Sequence, residues 1–214
     1  ASDVYKRQGL RGIVGPGISK MNIYNVRKIT LGLCNAAKKF GNKIVIGYDS
    51  RLSSVEFAHA TAAVCLEQGF EVFMFSKPAA TPAVSFAIRK LNANVGVNIT
   101  ASHNPPEYNG YKVYWQDGAQ VTAPNDQSIM KQITFISNYE DAMKGVFDKN
   151  KVNYISEDVE KAYFKYLESI IPEKWKKFSN LEVGFTPLHG VSSWWVNNYF
   201  QSTKSKNFFS IVPS

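Results

Sequence analysis

From residue 22 to residue 99 the sequence alternates helix-like and strand-like stretches, with only a few residues between one and the next. Asn22 stands where a helix cap belongs, and Val26, Ile29, Leu33, Ala37 and Phe40 follow at helical spacing until Gly41. Residues 43–48 read KIVIGY, a short continuous apolar run of the kind that forms a buried strand. Ser53 and Glu56 have the spacing of a capping box, and Val55, Ala58, Ala62 and Leu66 predict the inner face of a second helix, which Gly69 ends. Residues 71–75 form the next strand. Thr81-Pro82 supplies a cap and a first-turn proline for a helix through Val84, Ala87, Ile88 and Leu91. Val95, Val97 and Ile99 then alternate as a third strand. A β-α-β-α-β order with short connections predicts an α/β fold, a mixed, mainly parallel sheet sandwiched by helices.

Further along, Tyr111-Lys112-Val113-Tyr114-Trp115 alternates as a strand, and Asp117-Gly118 is a turn. Ala123-Pro124-Asn125-Asp126 opens a short helix through Ile129 and Ile133. The polar, lysine-bearing stretch at 144–153 reads as a linker. Val159, Tyr163, Tyr166, Leu167 and Ile170 give a helical stripe that Pro172 stops. A strand over 181–185, an exit loop Thr186-Pro187-Leu188-His189-Gly190, a helix over 193–200 and a strand near Phe208-Phe209 complete the chain. The expected domains are 1–150 and 155–214. The second has too few elements to bury a core of its own, so an incomplete domain is expected there.

The composition, 44% hydrophobic and 20% charged over 214 residues, is that of an ordinary globular protein. No apolar run approaches membrane-spanning length, and no n-region/h-region signal opens the chain. Cys34 and Cys65 both fall in apolar helical patterns and are expected as reduced core thiols. Asn98-Ile99-Thr100 matches a glycosylation acceptor but lies inside a strand expected to be buried. A cytoplasmic protein is the consistent expectation, with no membrane partner. The net charge of +8 raises the question of nucleic acid. Its carriers, among them Arg27, Lys28, Lys38, Lys39, Lys174, Lys176 and Lys177, form no long block, so no nucleic-acid partner is expected. Such a charge also suits a small phosphorylated substrate. An oligomeric state does not follow from these features.

Ligands of mainly parallel sheets gather beyond the carboxyl ends of the strands. Asp49-Ser50-Arg51 and Thr100-Ala101-Ser102-His103-Asn104-Pro105 both fall at that edge, and Asn104-Pro105 turns the backbone out of regular structure. Ser102 is a candidate nucleophile or phosphate carrier, although an ordinary polar loop contains the same residue types. Neighbours on an extended chain point to opposite sides, so Ser102 and His103 are not expected to form half of a hydrolytic triad. No Gly-x-Ser-x-Gly elbow surrounds the serine, and neither a P-loop nor a Gly-x-Gly-x-x-Gly fingerprint is present. A carrier serine needs a cation to screen its phosphate and donors such as His103 and Lys112 to manage protons and charge.

Thr100-Ala101-Ser102-His103-Asn104-Pro105 with Asn109-Gly110-Tyr111-Lys112 closely resembles the phosphoserine loop of the α-D-phosphohexomutases, the phosphoglucomutase and phosphomannomutase superfamily. Gly9-Leu10-Arg11-Gly12, Gly47-Tyr48-Asp49-Ser50-Arg51, Thr81-Pro82 and Pro187-Leu188-His189-Gly190-Val191 resemble other segments of that family, in order and at its spacing. Tyr114-Trp115 and Gly118-Ala119-Gln120 are more similar to the phosphoglucomutase/phosphopentomutase branch. Tyr5-Lys6-Arg7-Gln8 departs from it, standing where the family usually reads Phe-Gly-Thr-Ala/Ser.

The resemblance implies the first domain and part of the second of a four-domain enzyme that interconverts glucose 1-phosphate and glucose 6-phosphate. Phosphomannomutase or phosphopentomutase specificity is the alternative within the class, and an inactive anion-binding domain the alternative outside it. It implies that Ser102 is the phosphoserine, with His103 and Lys112 as catalytic groups. Arg11, Asn104 and Arg51 fall in the substrate- and phosphate-binding set, Arg51 as a brace for the loops and Asn104 as a holder of its loop through side-chain-to-backbone hydrogen bonds. It further implies Mg2+ bound through the Ser102 phosphate and three aspartates beyond this sequence, glucose 1,6-bisphosphate as intermediate, a small phosphorylated sugar as partner, and little activity from residues 1–214 alone. Asp49 and Asp117 read as turn residues, and His59 and His189 as structural.

Overall fold

The computed structural model describes residues 9–173, 182–202 and 208–210. The departure at residues 5–8, the lysines at 174, 176 and 177, and Leu181 lie outside the described residues. The chain divides into two compact units, Ala1–Ile155 and Ser156–Ser214.

In the first unit the apolar runs become the centre of one six-stranded sheet. Its elements are β1 (Leu10–Ile13), α1 (Ile23–Ala37), β2 (Lys43–Tyr48), α2 (Ser54–Glu67), β3 (Glu71–Met74), α3 (Thr81–Lys90), β4 (Val95–Ile99), β5 (Tyr108–Trp115), α4 (Asn125–Phe135), α5 (Glu140–Met143) and β6 (Val152–Tyr154). The strand order is β1-β5-β4-β2-β3-β6. Strands β4, β2, β3 and β6 run parallel, and β5 and β1 add an antiparallel edge. Residues 44–48 and 95–99 are buried throughout, because helices cover both faces of the parallel part. Asn98 and Thr100 are buried with them, as expected for the sequon.

The helices follow the sequence patterns with local differences, the first being that α1 ends at Ala37 and Phe40 stands exposed in a 3-10 turn beyond it. Asn22 caps α1 as expected, its side chain accepting from the Asn25 N–H at 3.0 Å. The expected capping box of α2 does not form. Ser53 takes a left-handed φ of 65° and makes no side-chain cap, and Ser54 is the first helical residue. The inner face of α2 accordingly runs through Phe57, Ala58, Thr61, Ala62 and Cys65, while Val55 lies in the first turn, 46% exposed. The cap position of α3 is Ala80 rather than Thr81, whose hydroxyl instead accepts from Asn98 Nδ2 at 3.0 Å.

The stretch expected as a linker belongs to the sheet. Residues 149–151 make one 3-10 turn, and β6 pairs with β3, burying Val152. Arg27 of α1 pins the preceding segment, donating to the carbonyls of Ala142, Met143 and Gly145. Three strand residues with one apolar side chain are too few to show a period.

Between α1 and α2 the free thiols Cys34 and Cys65 are buried with an Sγ–Sγ distance of 3.7 Å. Tyr111 is fully buried beside them, its hydroxyl 3.0 Å from Thr30 Oγ1. In the second unit α6 (Glu157–Ile170), β7 (Val183–Phe185), α7 (Ser192–Ser202) and β8 (Phe208–Ser210) appear, with β7 and β8 parallel. Among its described residues the buried aromatics are Phe164 and Trp195, with ring centroids 6.2 Å apart. The helical stripe is only partly internal: Phe164 takes the buried place, and Tyr166 and Ile170 are exposed. No helix among the described residues is long and apolar enough to cross a membrane.

One glycine controls the antiparallel edge. A Cβ on Gly110 would meet the Thr100 carbonyl oxygen at 2.5 Å and that of Leu10 at 2.9 Å, both backbone atoms that cannot step aside. Gly110→Ala is therefore expected to lower stability by roughly 1–3 kcal/mol. A loss near zero in urea-induced unfolding would contradict the close approach of β1, β5 and the end of β4.

Candidate active site

The chain leaves β4 at its carboxyl end and turns at once. Thr100 Oγ1 accepts from the Ser102 N–H at 2.9 Å, and the Asn104 N–H donates to the Ala101 carbonyl at 3.2 Å. Ser102 has φ 59°, the left-handed region that a serine adopts only when its surroundings hold it there. This conformation corrects the expectation that Ser102 and His103 point apart. The backbone is folded rather than extended, and Ser102 Oγ lies 3.4 Å from His103 Nδ1, both residues being exposed. Among the described residues no carboxylate is hydrogen-bonded to the imidazole, so the pair lacks the third group of a hydrolytic triad.

Arg51 follows β2 and reaches across to this turn. Its Nη1 donates to the carbonyls of Pro105 at 2.7 Å and Tyr108 at 2.9 Å. Its Nη2 donates to those of Ser102 at 2.8 Å and Asn104. The Nε faces Asp49 Oδ2 at 3.4 Å. The two Nη groups carry four N–H donors and meet four turn carbonyls, and the Nε lies beside the Asp49 carboxylate, so the guanidinium is turned toward the protein. Arg51 thus has the geometry of a brace.

Arg11 approaches from the other side. The β1–β5 register sets it opposite Gly110, and its Nη1 donates to Asn104 Oδ1 at 2.7 Å. The Asn104 side chain therefore bonds a guanidinium instead of the backbone expected for it, because β1 brings that stronger donor within reach. Arg11 Nε is buried without a hydrogen-bond partner. Lys112, on β5, is partly buried. Burial holds its ammonium below the usual lysine range, the Arg11 charge acts in the same direction, and Asp49 opposes them.

The structure thus joins Ser102, His103, Asn104, Arg11 and Arg51 through direct contacts, with Lys112 in electrostatic reach of Arg11 and Asp49. Asp49 is more than the turn residue expected: its Oδ1 accepts from the Arg51 N–H at 3.0 Å and from Ser54 Oγ at 2.6 Å. Ser54 is not singled out by the sequence and Asn109 enters only as part of the stretch Asn109-Gly110-Tyr111-Lys112, for nothing in the spacing of a serine at 54 and an asparagine at 109 signals that they touch. Asp117 does act as a turn residue, accepting from the Ala119 N–H at 2.9 Å. His59 stacks on Phe147 at 4.0 Å between ring centroids, and burial lowers its pKa, in keeping with a structural role. A cavity of about 680 Å³ lined by Glu67, Lys144, Phe147 and Lys151 contains none of the site residues. Among the described residues no three His, Cys, Asp or Glu side chains gather to hold a metal. These residues alone do not fit a magnesium site.

A hydroxyl on a tightly held turn, with an imidazole in contact and two cationic side chains nearby, suits a phosphoryl group. The class is that of a mixed α/β domain presenting a serine at the carboxyl edge of its sheet. Residues 3–140 match the family "Phosphoglucomutase/phosphomannomutase, alpha/beta/alpha domain I", and the chain belongs to that family. It is 36% identical over 200 residues to a phosphoribomutase of Saccharomyces cerevisiae, covering 86% of this chain and 32% of that protein. It is 42% identical over 136 residues to a human phosphopentomutase, covering 58% and 22%. Against a Staphylococcus aureus phosphoglucomutase it is 35% identical over 205 residues, covering 94% and 37%. The chain spans about a third of the length of the curated relatives it matches. A solved phosphoglucomutase/phosphomannomutase family protein from Burkholderia thailandensis shares the fold, with a TM-score of 0.69 at 21% identity over 100% of this chain and 44% of that one. The open form of Paramecium phosphoglucomutase gives 0.71 at 16% identity over 98% and 43%.

Removing the Arg11 charge removes one of the two causes that depress Lys112, so Arg11→Gln is expected to raise the Lys112 pKa while burial keeps it below an exposed lysine. Asp49→Asn is expected to lower it further. Titration of the lysine Cε resonances by NMR reads both shifts, and opposite signs would contradict the assigned electrostatics.

Proposed function

We propose that the chain carries the phosphoserine of a cytoplasmic phosphosugar mutase, with Ser102 as the phosphoryl carrier. The observation that supports this most is the Ser102 hydroxyl itself: exposed, held at a left-handed φ, and faced by His103. The phosphoryl group on Ser102 Oγ passes to a free hydroxyl of a sugar monophosphate; the O–P bond to serine breaks as the bond to the sugar forms. The resulting bisphosphate returns its other phosphoryl group to Ser102, and the isomeric monophosphate leaves. Such transfer depends on positioning and on neutralising charge. Arg11 supplies charge beside the turn, His103 stands within reach of the serine oxygen, and Lys112 with its depressed pKa suits proton exchange with a sugar hydroxyl.

Glucose 1-phosphate and glucose 6-phosphate, with glucose 1,6-bisphosphate as intermediate, are the leading substrates. Relatives named phosphoribomutase and phosphopentomutase support pentose phosphates as a second reading. Magnesium enters the proposal as an ion on the Ser102 phosphate that neutralises its charge, with protein ligands other than the described residues.

Incubation of the full-length gene product with glucose 1,6-bisphosphate or a pentose bisphosphate and Mg2+ is expected to add one phosphoryl group, read by intact mass. Ser102→Ala abolishes the adduct. A folded wild-type protein that takes up no phosphoryl group from either bisphosphate would overturn the carrier role. Comparison of kcat/KM for glucose 1-phosphate and ribose 1-phosphate decides the sugar.

A further inference from the structure

The Arg51 brace is itself held by a buried chain of side chains. Asp49 presents Oδ2 to Arg51 Nε at 3.4 Å, and its Oδ1 receives the Arg51 N–H and the Ser54 hydroxyl. Ser54 has one proton, and Asp49 takes it at 2.6 Å. The oxygen of Ser54 is therefore the acceptor toward Asn109, whose Nδ2 approaches at 2.9 Å. That same Nδ2 donates to the Leu52 carbonyl at 3.1 Å, and Asn109 Oδ1 accepts the Gly110 N–H at 2.8 Å. Ser54 and Asn109 are fully buried. Every donor direction in the chain is fixed, from the Asn109 amide to the Asp49 carboxylate.

The network closes on itself. Asn109 is the residue directly after Tyr108, whose carbonyl Arg51 grips at the end of the serine turn. The path Asn109–Ser54–Asp49–Arg51 returns through the turn to Asn109, tying residues 49–54 to residues 102–109 at both ends. A ring of this kind fixes the orientation of the guanidinium, and hence the four carbonyls that define where Ser102 Oγ points. None of its members besides Arg51 lies at the exposed serine.

We propose that Asn109 and Ser54 are positioning residues for phosphoryl transfer, acting through Asp49 and the Arg51 brace on the placement of Ser102 Oγ. This inference rests on the carrier role of Ser102. In-line transfer is sensitive to such placement, a displacement of about 1 Å being worth roughly a hundredfold in rate. Removing the Ser54 hydroxyl deletes only one oxygen, leaves Asp49 Oδ1 short of a donor, and leaves Asn109 Nδ2 with the Leu52 carbonyl alone.

The test uses the full-length gene product and compares wild type, Ser54→Ala, Asn109→Ala and the double variant. Each is assayed for phosphoryl uptake from the sugar bisphosphate and for steady-state turnover well below its melting temperature. Ser54→Ala is expected to lower kcat by roughly ten- to a hundredfold with KM for the sugar monophosphate little changed. Asn109→Ala acts through the same atoms, so the double variant is expected to lose no more than the worse single one. A kcat for Ser54→Ala equal to wild type, with only the melting temperature reduced, would show a purely structural network and overturn the proposal. So would losses that multiply in the double variant. Should Asn109→Ala fail to fold, the kcat and KM of Ser54→Ala decide alone. If wild type takes up no phosphoryl group, the carrier role has failed and this inference with it; if wild type is labelled and Ser54→Ala matches it, only the positioning role has failed.

Discussion

Arg51 bound to four carbonyls between Ser102 and Tyr108 and paired with one carboxylate is the interaction on which the rest of the site depends. The segment from Ser102 to Glu107 lies outside the sheet ladders and supplies three of these carbonyls, the fourth being that of Tyr108 at the start of β5. A charged, planar, multidentate donor satisfies them together and holds their relative directions in a way that a lysine ammonium does not. The serine can then be both exposed and fixed. Exposure comes from its place at the carboxyl edge of a parallel sheet, and fixity from an arginine at the end of the adjacent strand.

The two sides of the sheet divide the work between them. The parallel strands β2 and β4 deliver Arg51 and Ser102 to one edge, because parallel neighbours end on the same side. The antiparallel pair β5 and β1 brings Lys112 and Arg11 to the same place from strands running the other way or returning from the edge. Close passage at Gly110 makes that convergence compatible with backbone packing. Charge then does what geometry permits: Arg11 holds Asn104 and adds to the burial that depresses the proton affinity of Lys112.

Much of this was legible in the sequence wherever a physical signal repeats. The continuous run at 43–48 announced a strand buried on both faces, and the alternation of Val95, Val97 and Ile99 announced the strand that leads to Ser102. Asn22 announced its cap, and the spacing of Val84, Ala87 and Ile88 announced the buried face of α3. Signals that occur once misled or were silent. Ser53 and Glu56 matched a capping box, but the left-handed backbone at Ser53 moved the helix start to Ser54. The single buried valine of β6 could not be told from a linker. In the site, Ser102, Arg11, Arg51 and Lys112 were nameable from the stretches that carry them. The Ser102–His103 contact required a positive φ that no residue in the stretch foretells, and the Ser54–Asn109 contact joins residues 55 positions apart.

The edge position of β1 makes the charge cluster depend on a contact between residues far apart in the sequence. The Arg11–Asn104 contact spans 93 residues, and the β2–β4 and β3–β6 pairings likewise join strands that are not neighbours in the sequence. Contacts of such separation carry a larger closure cost and form after local ones reward it. The Arg51 contacts to the serine turn involve no residue of β1, so the second guanidinium of the cluster is present only where β1 holds its edge place beside β5.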